Sequence, residues 1–435
     1  MPQRSTKDTN DLATTRLSAF DAFFVAYQES SGILMQLGVE VELKGHLTQD
    51  DLDRMLRQIV QRWPPLGQRL HKSLFGCLWK GKCSTEAMLH IAKRKEVLAE
   101  WRNRPLDPFR EPPFQLLWIA NDDRHLLAFR AHHAVVDGEG FFAICAEAVR
   151  ALAGKQATDF TDNYGSIRHV KVSEAVRNLQ RLRKESRSNQ SARLAVRSCA
   201  PGAISIVERD LENDDFRELQ QRATQLNVAP GWLCASAWMR AIHAWNCSLG
   251  KDTTSLISIE VPVSLRRRRD IEVRIGNRIS PLTLYSDATL LLEDLAKDLK
   301  QQMSQAMRQR LHLALPRLFS PAKYLPMGIF CKLASNPELT GFATSHFAWF
   351  EQVRTIHDEI FRASNGALQI VDQQIYTPVC LHMGAALAVL AWPERAQIFL
   401  THRLTAFSTS DARMLMDLVV QELGSRYPGR RQVAV

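Results

Sequence analysis

The sequence predicts an α/β protein built from two αβ halves joined by a basic connector. Three observations predict it. Strand-like and helix-like patterns alternate along the chain from about Arg16 onward. The composition shifts between Arg168 and Ala200, where nine Lys/Arg stand against two Asp/Glu. The chain has 435 residues, 45% hydrophobic and 23% charged, which suits two or three globular domains with ample cores and excludes wholesale disorder. The expected division is an N-terminal half over 16–167, a connector over 168–200 and a C-terminal half over 201–435.

The elements follow in order. Ile33–Leu43 reads as a strand. Thr48 opens a helix with Asp51 three residues on, an acidic form of the capping box, and Leu52, Met55, Leu56, Ile59, Val60 and Trp63 keep helical spacing until Pro64-Pro65 stops it. Phe114–Ala120 and His125–Ala131 form neighbouring strands about a turn at Asn121-Asp122-Asp123. Phe141–Ala153 is helical and stops at Gly154. The connector is helical, then flexible. The second half resumes with a strand near Ile204, helices over Asp214–Leu226 and Pro230–Cys247, and a strand over Ser255–Val263. A long amphipathic helix covers Leu290–Leu311, and strands are expected near Phe342–Phe350, Ala367–Val371, Ala386–Ala391 and Gln397–Thr401 before a closing helix at Ser410–Leu423. Ile375–Trp392 lacks charge over about the length of a membrane span, but Pro378, His382 and Gly384 interrupt it, so it reads as two buried strands around a turn.

The formal net charge of +10 permits acidic partners, nucleic acid among them. Its distribution narrows the choice: the connector contributes +7 and Arg266–Arg278 contributes +4, which leaves the remainder near neutral. With no aromatic-basic interleaving, nucleic acid is not expected. The eight cysteines have no CxxC pairing, which argues against a zinc ribbon and a disulfide-stapled secreted fold. No apolar signal core precedes Thr15, so a cytoplasmic protein without an integral membrane span is expected.

The strongest chemical signal is the run from Phe129 to Gly138, FRAHHAVVDG. Alternation along a strand sends His132 and His133 to opposite faces. His133 shares the side of Leu127, Phe129 and Ala131, the face read as interior, so it is the imidazole aimed inward; His132 is left for structural hydrogen bonding. A buried histidine can take a proton from an alcohol or amine as it attacks a carbonyl. Asp137 can fix the turn that presents it, and Gly138 suits a sharp strand-to-helix turn. A satisfied core histidine is the plainer alternative. A metal site of His132, His133 and Asp137 is disfavoured by the alternation, so no metal is expected.

HHAVVDG resembles the HHxxxDG signature of the chloramphenicol acetyltransferase-like superfamily, which includes nonribosomal condensation domains and several acyltransferase branches. The nearest are the wax ester synthase/diacylglycerol acyltransferase-like and polyketide-associated ones. Leu17-Ser18-Ala19-Phe20-Asp21 is similar to the family's LSxxD segment, Leu106-Asp107 with Pro112-Pro113-Phe114 to its approach to the active strand, and Val261–Arg268 with Gly276-Asn277 to its vPVdlRxR…GN block. The plant-type DFGWG motif is absent. The resemblance implies two αβ domains forming a V around a central tunnel, with the histidine on that tunnel. It implies His133 as general base, Asp137 as a structural residue turned from substrate, and Arg266 as the partner of Asp137; a solvated basic loop is the alternative for Arg266–Arg269. Gly138, His132 and Asn277 are structural at the site. Where relatives carry Ser-Asn-x-Gly, this chain has Thr344-Ser345-His346-Phe347. A Thr344 or Ser345 hydroxyl is a candidate oxyanion donor, against a strand serine bonded to backbone. His346 and Trp349 are candidates for the tunnel wall, and Arg267 and Arg268 for contact with coenzyme A or a carrier.

The expected activity is transfer of an acyl group from a CoA or carrier-protein thioester to a hydroxyl or amine, directly and without an acyl-enzyme. No bound cofactor is implied beyond the thioester co-substrate. The partners are a small-molecule or lipid acceptor and a candidate acyl carrier protein, and the protein is expected to be a monomer. Condensation between two carrier-bound substrates, or a non-catalytic docking module on the same scaffold, are the alternatives.

Overall fold

A computed structural model describes residues 14–81, 85–121, 124–154, 170–211, 213–251, 254–266, 275–334, 345–350 and 368–424. Its strands, in chain order, are β1 (Thr15–Arg16), β2 (Gln36–Gly45), β3 (Arg69–Ser73), β4 (Gly76–Lys80), β5 (Leu89–Ala92), β6 (Phe114–Asn121), β7 (Arg124–His132), β8 (Ile204–Leu211), β9 (Leu256–Ser264), β10 (Ile279–Asp287), β11 (Ser345–Phe350), β12 (Leu368–Tyr376), β13 (Ala385–Ala391) and β14 (Ala396–Arg403). They form a five-stranded sheet, β12-β2-β7-β6-β5, a six-stranded sheet, β10-β9-β11-β13-β14-β8, and a small sheet, β1-β4-β3.

Alternation on β7 sorts its residues as the sequence predicts. Leu127, Phe129 and Ala131 enter the main core, with the helices Ala19–Ser31, Gln49–Arg62 and Gly138–Leu152. Leu126 and Ala128 pack on the other face with Trp101, Leu117 and Ile119. Arg130 is fully buried on that second face, with its guanidinium 3.8 Å from the centre of the Trp101 ring. The second core lies between the six-stranded sheet and helices Pro230–Ser248, Leu292–Arg308 and Thr409–Glu422.

Local signals set most helix ends. Thr48 and Asp51 form the reciprocal capping box. Ser18 with Asp21 and Ser408 with Asp411 do the same. The helix expected from Phe141 begins at Gly138, because Asp137 Oδ1 caps it by accepting from the Gly140 amide at 2.8 Å. The helix expected to reach Leu311 ends at Arg308, and Arg310 follows in the left-handed region at φ 58°.

Two expectations change and one is refined. The connector's second part is not flexible: after the helix Val172–Ser188 the chain is held to the second half. The Ala192 amide donates to Leu256 O, and the Asn246 side chain bonds both Ala195 N and Arg193 O at 2.8 Å. Next, the two strand segments in Ile375–Trp392 flank a turn as expected but do not pair with each other. They belong to different sheets, β12 to the five-stranded one and β13 to the six-stranded one. Finally, the boundary placed near residue 200 is crossed. β12 pairs antiparallel with β2, Tyr376 opposite Gly38, and the helix Met327–Ala334 packs on Ala19–Ser31. Gly38 is required there, since a Cβ would lie 1.9 Å from the Tyr376 ring. The two sheets are therefore laced together.

Candidate active site

His132 ends β7 and His133 begins the turn that follows. The Ala134 amide donates to His132 Nδ1 at 3.0 Å, the structural bond expected of that ring, and burial pushes its pKa down to about 3. The His133 amide donates to Met35 O at 2.7 Å, and its ring stacks on Phe24 with centroids 4.0 Å apart and planes at 15°. His133 lines a cavity of about 570 Å³ between the two halves. Its Nδ1 is enclosed without a hydrogen-bond partner among the described residues. Burial lowers the pKa to about 4, opposed in part by the negative charge of Asp137, so the ring is neutral at pH 7.

Asp137 is fully buried and is not part of the cavity wall. Its carboxylate accepts from Arg266 Nη1 at 2.8 Å and Nη2 at 3.0 Å, from Arg278 N at 2.7 Å and from Gly140 N at 2.8 Å. The Arg266 side chain is 3% exposed, so the pair is a buried bidentate bridge from the turn after β7 to the segment after β9. Arg266 also reaches Glu139, which accepts from Ser264 Oγ at 2.7 Å. The solvated-loop alternative fails for Arg266.

A second clamp holds the histidine's backbone. Asn277 Nδ2 donates to His133 O at 2.5 Å and to Asp21 Oδ1 at 2.7 Å, and the Asn277 amide donates to the same Asp21 oxygen at 2.8 Å. Asp21 is the N3 residue of the Ser18 capping box, so one carboxylate starts a helix and fixes the loop that reaches His133. Burial raises its pKa. Gly276 turns this loop at φ 78° and its amide bonds Val135 O at 2.7 Å. Ser18 and Asp21 were visible in the sequence as a motif, but Asp21 and Asn277 lie 256 positions apart, and nothing local pairs them.

The remaining expectations divide. Gly138 lines the cavity, but it does not adopt a positive φ; a glycine fits because a Cβ would lie 3.3 Å from the Phe350 ring. Ser345 is 2% exposed and absent from the cavity wall, and its hydroxyl donates to Met383 O at 3.4 Å. Its place on β11 turns that hydroxyl to backbone rather than to the cavity. Thr344, Arg267 and Arg268 lie outside the described residues. Trp349 and His346 do line the cavity, with Phe24, Phe142, Trp232 and Phe350 giving it an apolar, aromatic character. Glu260 also lines it, a residue that sequence reasoning missed because on β9 it is one polar residue among alternating apolar ones. No group of three or more metal-ligating side chains occurs among the described residues, and no helix there is long and apolar enough to cross a membrane.

No protein-family model matches the chain, and no curated protein matches it by sequence. Solved structures do match its fold. The trichothecene 15-O-acetyltransferase TRI3 from Fusarium sporotrichioides superposes with a TM-score of 0.73 at 12% identity, over 94% of this chain and 94% of that one. The first condensation domain of the CDA synthetase gives 0.70 at 14% identity, over 95% and 96%. The starter condensation domain of rhizomide synthetase RzmA, a mutant in complex with C8-CoA and Leu-SNAC, gives 0.66 at 14% identity, over 94% of each chain. The chain therefore shares the two-domain fold of these solved condensation domains and of the acetyltransferase.

Proposed function

Starting from that fold, we propose that the protein is an acyltransferase that moves an acyl group from a CoA or carrier-protein thioester to a hydroxyl or amine in the cavity between its halves. The observation that carries the reading is a neutral imidazole, His133, stacked on Phe24 and opening into a largely apolar cavity. With Nδ1 enclosed, Nε2 is the nitrogen available to the cavity. It accepts the acceptor's proton as the oxygen or nitrogen attacks the thioester carbonyl. The imidazolium so formed lies beside the tetrahedral oxyanion, and on collapse it returns the proton to the departing thiolate.

Asp137 acts through geometry. It caps the helix after the motif and ties the turn to Arg266, so it positions His133 without touching substrate. Asn277 and Asp21 do the same from the carbonyl side. The apolar wall excludes water, which would otherwise hydrolyse the thioester.

TRI3 is described as an O-acetyltransferase, and the RzmA domain was captured with an acyl-CoA. Those precedents support CoA as a donor here. Condensation with carrier-bound substrates would use the same histidine, and it predicts turnover with acyl-carrier thioesters but not with free acyl-CoA. A panel of acyl-CoAs and acyl-carrier thioesters against alcohols and amines, followed by chromatography of products, tests the reading. Acylated acceptor is the expected product; no product from any thioester, with the protein folded, would remove it.

A further inference from the structure

The acyl-transfer reading leaves one charged group in the cavity unused. Glu260, on β9, lines the cavity and is 5% exposed. The parallel register of β9 and β11 sets His346 opposite it, with Nδ1 3.8 Å from Glu260 Oε1, beyond hydrogen-bond range. Among the described residues no Lys or Arg lines the cavity. None of the described hydrogen bonds ends on the Glu260 carboxylate.

The other groups facing Glu260 supply no permanent charge. An imidazole is cationic only when protonated. Cys380, also in the cavity wall, has its thiol pushed up to about 12, by burial first and then by the charge of Glu260, so it is a neutral thiol. Glu139, the other carboxylate of the wall, is already taken by Arg266 and Ser264.

Most other buried carboxylates among the described residues meet arginine, Glu147 with Arg62 and Arg150 included, while Asp21 accepts from Asn277 and Ser18 instead. Glu40 receives Arg102 through two 2.5 Å hydrogen bonds, and Asp137 receives Arg266. A carboxylate left in an apolar enclosure without a cation or donors is costly. Among the described residues none supplies Glu260 with a permanent cation, so its charge suits a cationic ligand. A cavity of about 570 Å³ holds one small molecule that spans this carboxylate and the His133 end.

We propose that the acceptor substrate carries a basic nitrogen and that its ammonium pairs with Glu260 while its reacting hydroxyl or amine reaches His133. The second half of that statement rests on the acyl-transfer reading; the docking of the ammonium does not. Substrates of this class are small aromatic or aliphatic amines and amino alcohols, and their carboxylate counterparts are rejected by the same charge.

Calorimetric titration of the full chain at pH 8 tests this with 4-phenylbutylamine, 4-phenylbutanol and 4-phenylbutyrate. These share a skeleton and differ in the charge of one end. The unmodified protein and His133→Ala are expected to bind the amine at least about tenfold tighter than the alcohol or the acid, the size of one charge-assisted contact. Glu260→Gln, which keeps the shape of the side chain, is expected to bind amine and alcohol alike. Equal affinity of amine and alcohol for the unmodified chain, no binding of the amine, or a preference that survives Glu260→Gln would each overturn the proposal. The three-ligand comparison on the unmodified chain decides the matter even if the variant does not fold. Amine preference without turnover on any thioester would sink the acyl-transfer reading and leave the ammonium site standing.

Discussion

Replacing Asp137 by Asn separates the scaffold of this site from its chemistry. The carboxylate accepts four hydrogen bonds, two from Arg266 and one each from the amides of Gly140 and Arg278. An Asn side chain has one oxygen, and its NH₂ would face donors. Arg266, 3% exposed at the side chain, would lose the balancing charge of Asp137 while keeping its contact with Glu139. Breaking a buried, hydrogen-bonded ion pair from one side costs about 3–5 kcal/mol. At about 2–4 °C per kcal/mol for a domain of 150–250 residues, the melting temperature should fall by roughly 6–20 °C. Differential scanning fluorimetry and turnover should be measured together, with His133→Ala as the contrast. That variant should lose turnover by about 10²–10⁴-fold, the range for a general base, with a much smaller change in melting. An Asp137→Asn protein that melts within about 2 °C of the parent would refute the assignment of this aspartate to the scaffold.

Acid should act on both activity and stability. His133 must be neutral to accept a proton, and burial holds its pKa at about 4, so kcat/KM should hold as pH falls through 6.5 and drop near 4; a titration midpoint at 6–7 would contradict the enclosed site. The same shift makes the fold acid-sensitive. The unfolded ring binds a proton near pH 6.5 and the folded one near 4, so stability is intact above 6.5 and lost as pH falls between them, on the order of 3 kcal/mol from His133 alone. Denaturant titrations at pH 7.5 and 4.5 should show that loss, and His133→Phe should reduce it. Gly38→Ala should destabilise by about 1–3 kcal/mol, because the new Cβ would sit 1.9 Å from the Tyr376 ring and push β12 off β2; an unchanged denaturation midpoint would argue against that pairing. Gly138→Ala should narrow the cavity at Phe350, so turnover should fall most for bulky acyl donors and recover in a double variant with Phe350→Leu; a uniform loss across donors would count against Gly138 as part of the wall.

The parts of the site legible in sequence were those written as contiguous runs. HHAVVDG carries strand alternation and an aspartate at the turn that presents His133, and both are found where the run puts them, although the helix starts at Gly138 rather than Phe141. The pairing of Asp137 with Arg266 was reachable because a buried aspartate requires a cation and the resemblance supplied one. What could not be read depends on contacts between distant segments. β12 joins the first sheet through a register with β2 that no local pattern encodes, and the Asp21–Asn277 clamp joins positions 256 apart. Ser345 shows the limit from the other side. A hydroxyl next to the right motif was a sound candidate, but its rotamer on β11 gives it to Met383 O instead. Glu260 went unread because a strand glutamate is ordinarily solvent-facing, and only the apposition of the two halves encloses it.

The central claim is that His133 takes the acceptor's proton in a direct transfer. One experiment addresses both parts: intact-mass spectrometry of the protein with acyl-CoA, run beside turnover of the parent and His133→Ala on whichever thioester and acceptor pair gives product. The account predicts an unmodified protein mass throughout, product only when acceptor is present, and at least about a hundredfold loss in His133→Ala with its fold retained. An acyl-protein adduct that passes its acyl group to the acceptor, or undiminished turnover in His133→Ala, would contradict it.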